Sequence, residues 1–140
     1  MEIAEIFREK NLKKTTPRVA IVGILLCASH PLSENDIKDK MGYMYDRSTF
    51  YRTIQTLIDV KIIHRIVVDN TNVRYAINNL DYDEVEHPKS HAHFYCRKCE
   101  NVICMDNIQI SNCSLPPNYE MDECEILIKG ICENCRSISV

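Results

Sequence analysis

Residues 47–59, RSTFYRTIQTLID, and 62–77, IIHRIVVDNTNVRYAI, are the stretch on which the fold turns. In the first segment Phe50, Ile54, Leu57 and Ile58 recur at i, i+4, i+7 and i+8, which is one apolar face of a helix. Ser48, Tyr51, Arg52 and Gln55 recur at i, i+3, i+4 and i+7 and form a separate polar face. The second segment holds two β-branched runs, 62–68 and 73–77, joined by Asp69-Asn70-Thr71-Asn72, a hairpin signal.

Working upstream, residues 3–10 fit a short amphipathic helix carrying Ile3, Ile6 and Phe7. Thr16-Pro17 reads as an N-cap followed by proline at the first helical position. Val19, Val22, Leu25 and Leu26 then predict a buried helix over 17–29, interrupted at His30-Pro31. Ser33 with Asp36 three residues on has capping-box spacing and opens a further helix to about Met41. Helices followed by a two-stranded hairpin outline a winged helix-turn-helix, with 47–59 as its recognition helix.

A helix that enters the major groove needs side chains that reach base edges. Arg52 can address guanine or phosphate, Gln55 adenine, and Tyr51 can pack on a thymine methyl, with Ser48 beside them. Lys13, Lys14 and Arg18 stand where helix starts grip a phosphate backbone, and Arg74 on the hairpin can reach a neighbouring groove. Taken alone, such a face is also what any solvated helix displays; the helix order and the hairpin favour duplex DNA. Charge agrees. Residues 1–80 carry 12 Lys and Arg against 9 Asp and Glu, whereas 81–140 carry 5 against 11.

Working downstream, the acidic segment 81–90 with Pro88 reads as a linker between domains at 1–80 and 91–140. Residues 93–96 and 101–105 read as a strand pair, and 119–131 as a further strand with its best alternation from Glu125 to Lys129. Two Cys-x-x-Cys turns, Cys96/Cys99 and Cys132/Cys135, stand 32 residues apart and supply a four-sulfur shell. Structural Zn²⁺ is the usual occupant of such a shell. A redox dithiol is the rival, but one pair would suffice for it and would sit by a βαβ pattern. The expected fold is therefore α+β: an N-terminal winged helix-turn-helix domain and a small C-terminal α+β domain with a four-cysteine zinc site.

Eight cysteines without an export signal fit a cytoplasmic protein with reduced or metal-bound thiols. No apolar run approaches a membrane span, so no membrane partner is expected.

The segments LKKTTPR (12–18), STFYRTIQTL (48–57), HAHFYCRKC (91–99) and GICENC (130–135) together resemble the ferric uptake regulator family across essentially the whole chain. The resemblance implies a homodimeric, metal-responsive repressor whose winged helix reads a double-stranded operator and whose C-terminal domain dimerises. It implies no small-molecule substrate. By position, Tyr51 and Arg52 resemble the family's recognition-helix contacts and Lys13 its minor-groove lysine. Cys96, Cys99, Cys132 and Cys135 resemble its structural zinc ligands.

The regulatory site departs from the family's iron sensors. Ala76 stands where they carry an acid, Cys104 replaces another acid, Ala92 an aspartate and Cys124 a histidine. His30 lies one residue from the usual interdomain histidine, whose place Pro31 takes. His91 and His93 remain, and His64 lies where the zinc-uptake branch uses an acid or histidine. The set His64, His91, His93 and Cys104 is soft and suits tetrahedral Zn²⁺ ahead of Fe²⁺ or Mn²⁺. The remaining cysteines, Cys27 and Cys113, read as core or incidental, and His87 as solvated.

Other functions fit less well. A thiol- or peroxide-responsive regulator on the same scaffold is the alternative, the thiol version using Cys104 or Cys124. A zinc deaminase would need H-x-E and P-C-x-x-C, and here His91-Ala92-His93 offers no general base. A zinc adaptor would not need the tyrosine and arginine face.

Overall fold

The structure is a computed structural model and describes residues 2–78, 90–105, 115–122 and 124–138. The chain divides into two compact units, Met1–Leu80 and Asp81–Val140. The linker segment lies outside the described residues except for Ser90, and so do His87 and Cys113.

The first unit runs α1 (Ile3–Glu9), α2 (Thr16–Cys27), α3 (Glu34–Met41), a 3-10 turn (Gly42–Met44), α4 (Arg47–Asp59), β1 (Ile63–Asp69) and β2 (Asn72–Ile77). The N-cap position of α2 is Thr15, one residue earlier than the spacing predicts and without a side-chain capping bond, and Pro17 is the second helical residue. The missing N–H of Pro17 falls among the first four, which have no acceptor within a helix anyway. The buried face of α2 is Ile21, Val22 and Leu25; Val19 is half-buried and Leu26 lies 40% exposed. Each residue turns the helix by about 100°, so Leu26 is swung away from the side that Leu25 buries.

α3 opens with a reciprocal capping box: Asp36 N–H donates to Ser33 Oγ at 3.2 Å, and Ser33 N–H donates to Asp36 Oδ2 at 3.1 Å. Gly42 ends it with φ +62° and ψ −129°, a backbone region that a side chain would strain. Asp46 caps α4, its carboxylate accepting from Thr49 N–H at 2.9 Å and from Thr49 Oγ at 2.8 Å. α4 spans the 47–59 that the periodicity predicts. It buries Phe50, Thr53, Ile54 and Leu57, with Ile58 half-buried. Thr53 is tolerated there because its hydroxyl donates to the Thr49 carbonyl at 2.7 Å.

β1 and β2 form an antiparallel hairpin in register Ile63↔Ile77 through Val67↔Val73, then shift before Asp69↔Asn72. The strands start and end within a residue or so of the predicted runs. Leu32 adds an isolated bridge to Tyr75, with N–H···O bonds of 2.9 and 2.7 Å in the two directions. This bridge ties the approach to α3 to the wing. A single core of Ile6, Phe7, Ile21, Val22, Leu25, Ile37, Phe50, Ile54, Leu57, Ile62, Ile63 and Tyr75 joins α1–α4 to the hairpin.

The second unit is a three-stranded sheet, β3 (Ser90–Cys96), β4 (Val102–Met105) and β5 (Cys124–Gly130), in the order β4-β3-β5, followed by α5 (Glu133–Ile138). β3 pairs antiparallel with β4 and parallel with β5. Three outcomes differ from the sequence reading. β3 begins at Ser90, so it extends three residues further back than expected. The last strand is Cys124–Gly130 rather than 119–131, because Pro116–Tyr119 forms a turn and Met121 and Asp122 are not in a strand. The second Cys-x-x-Cys turn also continues into a helix that the sequence pattern did not reveal. Gly130 packs beneath Phe94, where a Cβ would meet the ring at 3.1 Å. Among the described residues no helix is long and apolar enough to cross a membrane.

Candidate nucleic-acid interface and metal centres

Burying Phe50, Ile54 and Leu57 forces the opposite side of α4 outward, and Ser48, Tyr51, Arg52 and Gln55 are all exposed there. Gln55 Nε2 donates to Asp59 Oδ1 at 2.8 Å, one turn along. Lys13 and Lys14 are exposed in the α1–α2 connection. Arg18 is half-buried and donates from Nη1 to the Lys13 carbonyl at 2.8 Å, so it also braces the backbone that presents the two lysines. Arg74 is half-buried on β2, with Nε donating to Asn72 Oδ1 at 3.0 Å, which holds its guanidinium along the wing.

A group that sequence reasoning missed surrounds Tyr51. Its O–H donates to Glu34 Oε2 at 2.6 Å, and the O–H of Tyr45 donates to Glu34 Oε1 at 2.5 Å. Arg47 lies 5.8 Å from the centroid of the Tyr51 ring, and Lys38 5.3 Å from that of Tyr45. Burial alone would raise the Glu34 carboxyl, but the two phenols, with Arg47 and Lys38 nearby, outweigh it and hold the carboxyl below its ordinary value. The same bond to Glu34 pushes Tyr45 up to about 12 and raises Tyr51 as well. Arg47 lies one helical turn before Tyr51, so helical spacing could have found it; Glu34, 17 residues away, leaves no such signal.

In the second unit, the β3–β4 turn and the start of α5 bring four thiols together. The Sγ atoms of Cys96, Cys99, Cys132 and Cys135 all lie within 4.8 Å of one another, and none is in a disulfide. The turn is held by Cys96 N–H to Asn101 O at 3.0 Å and Glu100 N–H to Cys96 O at 2.8 Å. Arg97 N–H donates to Gly130 O at 2.8 Å and ties the first knuckle to the end of β5. Cys99 Sγ and Cys132 Sγ are 3.8 Å apart. That is the edge of a tetrahedron with metal–sulfur bonds of about 2.3 Å, and far longer than a disulfide's roughly 2.0 Å.

Backbone donors tune the cluster. The N–H groups of Cys99 and Cys132 point at Cys96 Sγ at 3.5 and 3.4 Å, and they lower that thiol to about 6. Cys135 is raised to about 12, chiefly by the Cys132 side chain and then by burial. The backbone donors thus favour the thiolate form of Cys96, and a bound cation would favour it at the other sulfurs. The donor set fits a closed tetrahedral zinc site in number, type and spacing.

Of the other histidines and cysteines singled out from sequence, His93 is buried on β3 and stands directly across from Cys104 on β4. Opposite residues in a ladder share a face, so imidazole and half-buried thiol are neighbours. Cys124 pairs with Ser90 in the β3–β5 register and so belongs to the opposite face of the sheet from His93. His91 is placed by its backbone on β3, two residues from His93; its side chain lies outside what is described.

His64 is half-buried on β1 of the first unit, and its Nδ1 lies 2.6 Å from Asn78 Oδ1. Asn78 Nδ2 donates to the Lys61 carbonyl at 2.7 Å, which fixes the amide so that its oxygen faces the ring. Nδ1 must then carry the proton, and the lone pair sits on Nε2. His30 is half-buried beside Ser29 Oγ, 3.2 Å from its Nδ1.

With this geometry in hand, comparison with known proteins gives consistent findings. A sequence model described as the ferric uptake regulator family matches residues 9–118. The chain is 29% identical to the transcriptional regulator PerR of Clostridium acetobutylicum, over 96% of each chain. Among solved structures it is similar to a zinc uptake regulator complexed with zinc and DNA: TM-score 0.70, 18% identity, 96% of this chain and 91% of that one. It is also similar to the ferric uptake regulator of Francisella tularensis with iron: TM-score 0.62, 24% identity, 89% of this chain and 95% of that one.

Proposed function

Because the chain belongs to the ferric uptake regulator family, we propose that it is a zinc-responsive repressor that binds operator DNA as a homodimer. Membership itself makes it a metal-responsive transcriptional regulator and not an enzyme.

The observation that carries the choice of ion is the His93–Cys104 pair across β3 and β4. A sulfur stands there where an iron sensor carries a carboxylate, and Ala76 removes another carboxylate from the wing. We assign His64, His91, His93 and Cys104 to the regulatory ion, and Cys96, Cys99, Cys132 and Cys135 to structural zinc. A set of imidazoles and one thiolate selects tetrahedral Zn²⁺ over the oxygen-seeking Mn²⁺ and Fe²⁺. When bound, the regulatory ion supplies a Lewis-acid crosslink among these donors. The protonated Nδ1 of His64, directed at Asn78, supports the assignment because it leaves Nε2 as the basic nitrogen.

On DNA, Ser48, Tyr51, Arg52 and Gln55 face base edges, Lys13, Lys14 and Arg18 face phosphates, and Arg74 lies on the wing. Differential affinity of the ion for the DNA-competent arrangement raises operator affinity by linkage.

The test is operator binding titrated with Zn²⁺, Fe²⁺ and Mn²⁺, alongside metal analysis per chain. Zinc should act at the lowest concentration, and His91→Ala with His93→Ala should keep one zinc per chain while losing the response. Activation by iron or manganese but not zinc would overturn the reading. A second reading, thiol- or peroxide-responsive regulation, draws on the half-buried thiol of Cys104. Peroxide that releases the operator, reversed by a thiol reductant and absent in Cys104→Ser, would establish it instead.

A further inference from the structure

Glu34 places a carboxylate on the surface that is to meet a polyanion, where a negative charge weakens binding to any duplex. Its two oxygens are both occupied by phenols, Tyr51 at 2.6 Å and Tyr45 at 2.5 Å. Tyr51 is 42% exposed, so it remains open to a ligand while its hydroxyl proton is committed to α3. That commitment changes what Tyr51 can recognise. A phenol left to rotate would donate to the nearest phosphate oxygen, a contact blind to sequence. Held by Glu34, the same side chain presents its ring, backed by Arg47 at 5.8 Å, and only the acceptor side of its oxygen. A ring presented in that way suits the methyl group of thymine. Tyr45, fixed by the other oxygen and packed 5.8 Å from the ring of Phe50, anchors the carboxylate to the core.

We propose that Glu34 is a positioning residue that determines sequence specificity: it accepts the hydrogen bond of the Tyr51 hydroxyl and thereby turns Tyr51 from a phosphate contact into a reader of base edges. The proposal rests on α4 being the recognition helix, and its test separates the two. The full-length, zinc-loaded protein is used first to select duplexes from a randomised pool. Affinities are then measured for a selected duplex and for a scrambled duplex of equal composition.

Glu34→Ala should bind the scrambled duplex more tightly, because one negative charge is gone, and the selected duplex less tightly. Selectivity should fall about tenfold, the scale of one lost base contact. Glu34→Gln, whose single amide oxygen still accepts one phenol, should fall between Glu34→Ala and wild type. In a Tyr51→Phe background, which has no hydroxyl to hold, Glu34→Ala should leave selectivity unchanged.

Unaltered selectivity in both Glu34 variants, with unchanged melting, would overturn the proposal. Equal loss on both duplexes would also overturn it, since that is the mark of a merely structural role. Should Glu34→Ala not fold, the same readings on Glu34→Gln decide. A wild-type protein that selects no sequence refutes the recognition-helix reading itself, and the role of Glu34 with it.

Discussion

The two units are held together by different means. Among the described residues, seventeen of the buried apolar side chains lie in the first unit and four in the second, two of which are Cys96 and Cys135 of the four-thiol cluster. In the second unit Ile103, Ile128 and Ile131 stay 38–42% exposed, while the first buries Phe7, Phe50 and Ile54 almost completely. A unit of about 60 residues with so thin an apolar centre needs another source of stability, and a metal crosslink or a partner surface can supply it. Among the described residues, then, apolar burial is concentrated in the first unit and the four-thiol cluster stands out in the second.

Removing one sulfur gives the largest expected effect and the sharpest break. Cys96→Ser removes one of the four clustered sulfurs, and a structural zinc bound there would contribute on the order of 10 kcal/mol. The second unit should lose its cooperative melting and the chain the dimer proposed for it, while the helical signal of the first unit persists. A zinc-free variant that still melts as a folded dimer would show that burial, not metal, holds the second unit. The reciprocal change is Phe50→Ala, which empties a site 1% exposed beneath Tyr45, Tyr51 and Tyr75. It should cost the first unit about 3–5 kcal/mol and leave zinc stoichiometry unchanged. Calorimetry with metal analysis reads both, and a coupled loss in either variant would erase the contrast.

The same contrast explains what the sequence disclosed. Burial leaves a periodic trace, so α4 came out at its true ends and its two faces were legible from spacing alone. The sulfur knuckles were legible because tight turns keep ligands close along the chain. Period-2 alternation says which face a residue occupies but not which strand lies beside it. Hence the parallel pairing of β5 with β3 left no mark. α5 was missed because ENCRSI has too few apolar residues to show a helical period, and Cys135 anchors it instead. Glu34 with Tyr51 and His64 with Asn78 are 17 and 14 residues apart, so only tertiary structure reveals either pair.

A smaller effect tests whether the wing contributes to metal response. Asn78 orients the His64 ring through the 2.6 Å contact and is itself held by the Lys61 carbonyl. Asn78→Ala should weaken regulatory zinc binding roughly 10–100-fold, as loss of a partner behind a ligating histidine does. The structural zinc and the melting of the second unit should not change. Nitrogen shifts of His64 give an independent readout: the proton should sit on Nδ1 in wild type and redistribute in the variant. Unchanged zinc titration would remove His64 from the ligand set.

The smallest effect belongs to the capping box of α3, which involves no metal and should be felt in the first unit alone. Ser33→Ala removes the acceptor for Asp36 N–H and should cost about 1 kcal/mol. Acid reaches the same box by another route. Burial would raise the Asp36 carboxyl, but hydrogen bonds from the Ser33 backbone and side chain outweigh it and hold the carboxyl below its ordinary value. The folded state thus binds its proton less readily than the unfolded chain. This contribution is present in full above the ordinary aspartate range and is lost as pH falls through the lowered folded value. Asp36→Asn lacks that titration, so the gap in melting temperature between wild type and variant should narrow on acidification. A gap that stays constant from neutral pH down through the carboxylate range would mean that Asp36 contributes nothing through its charge.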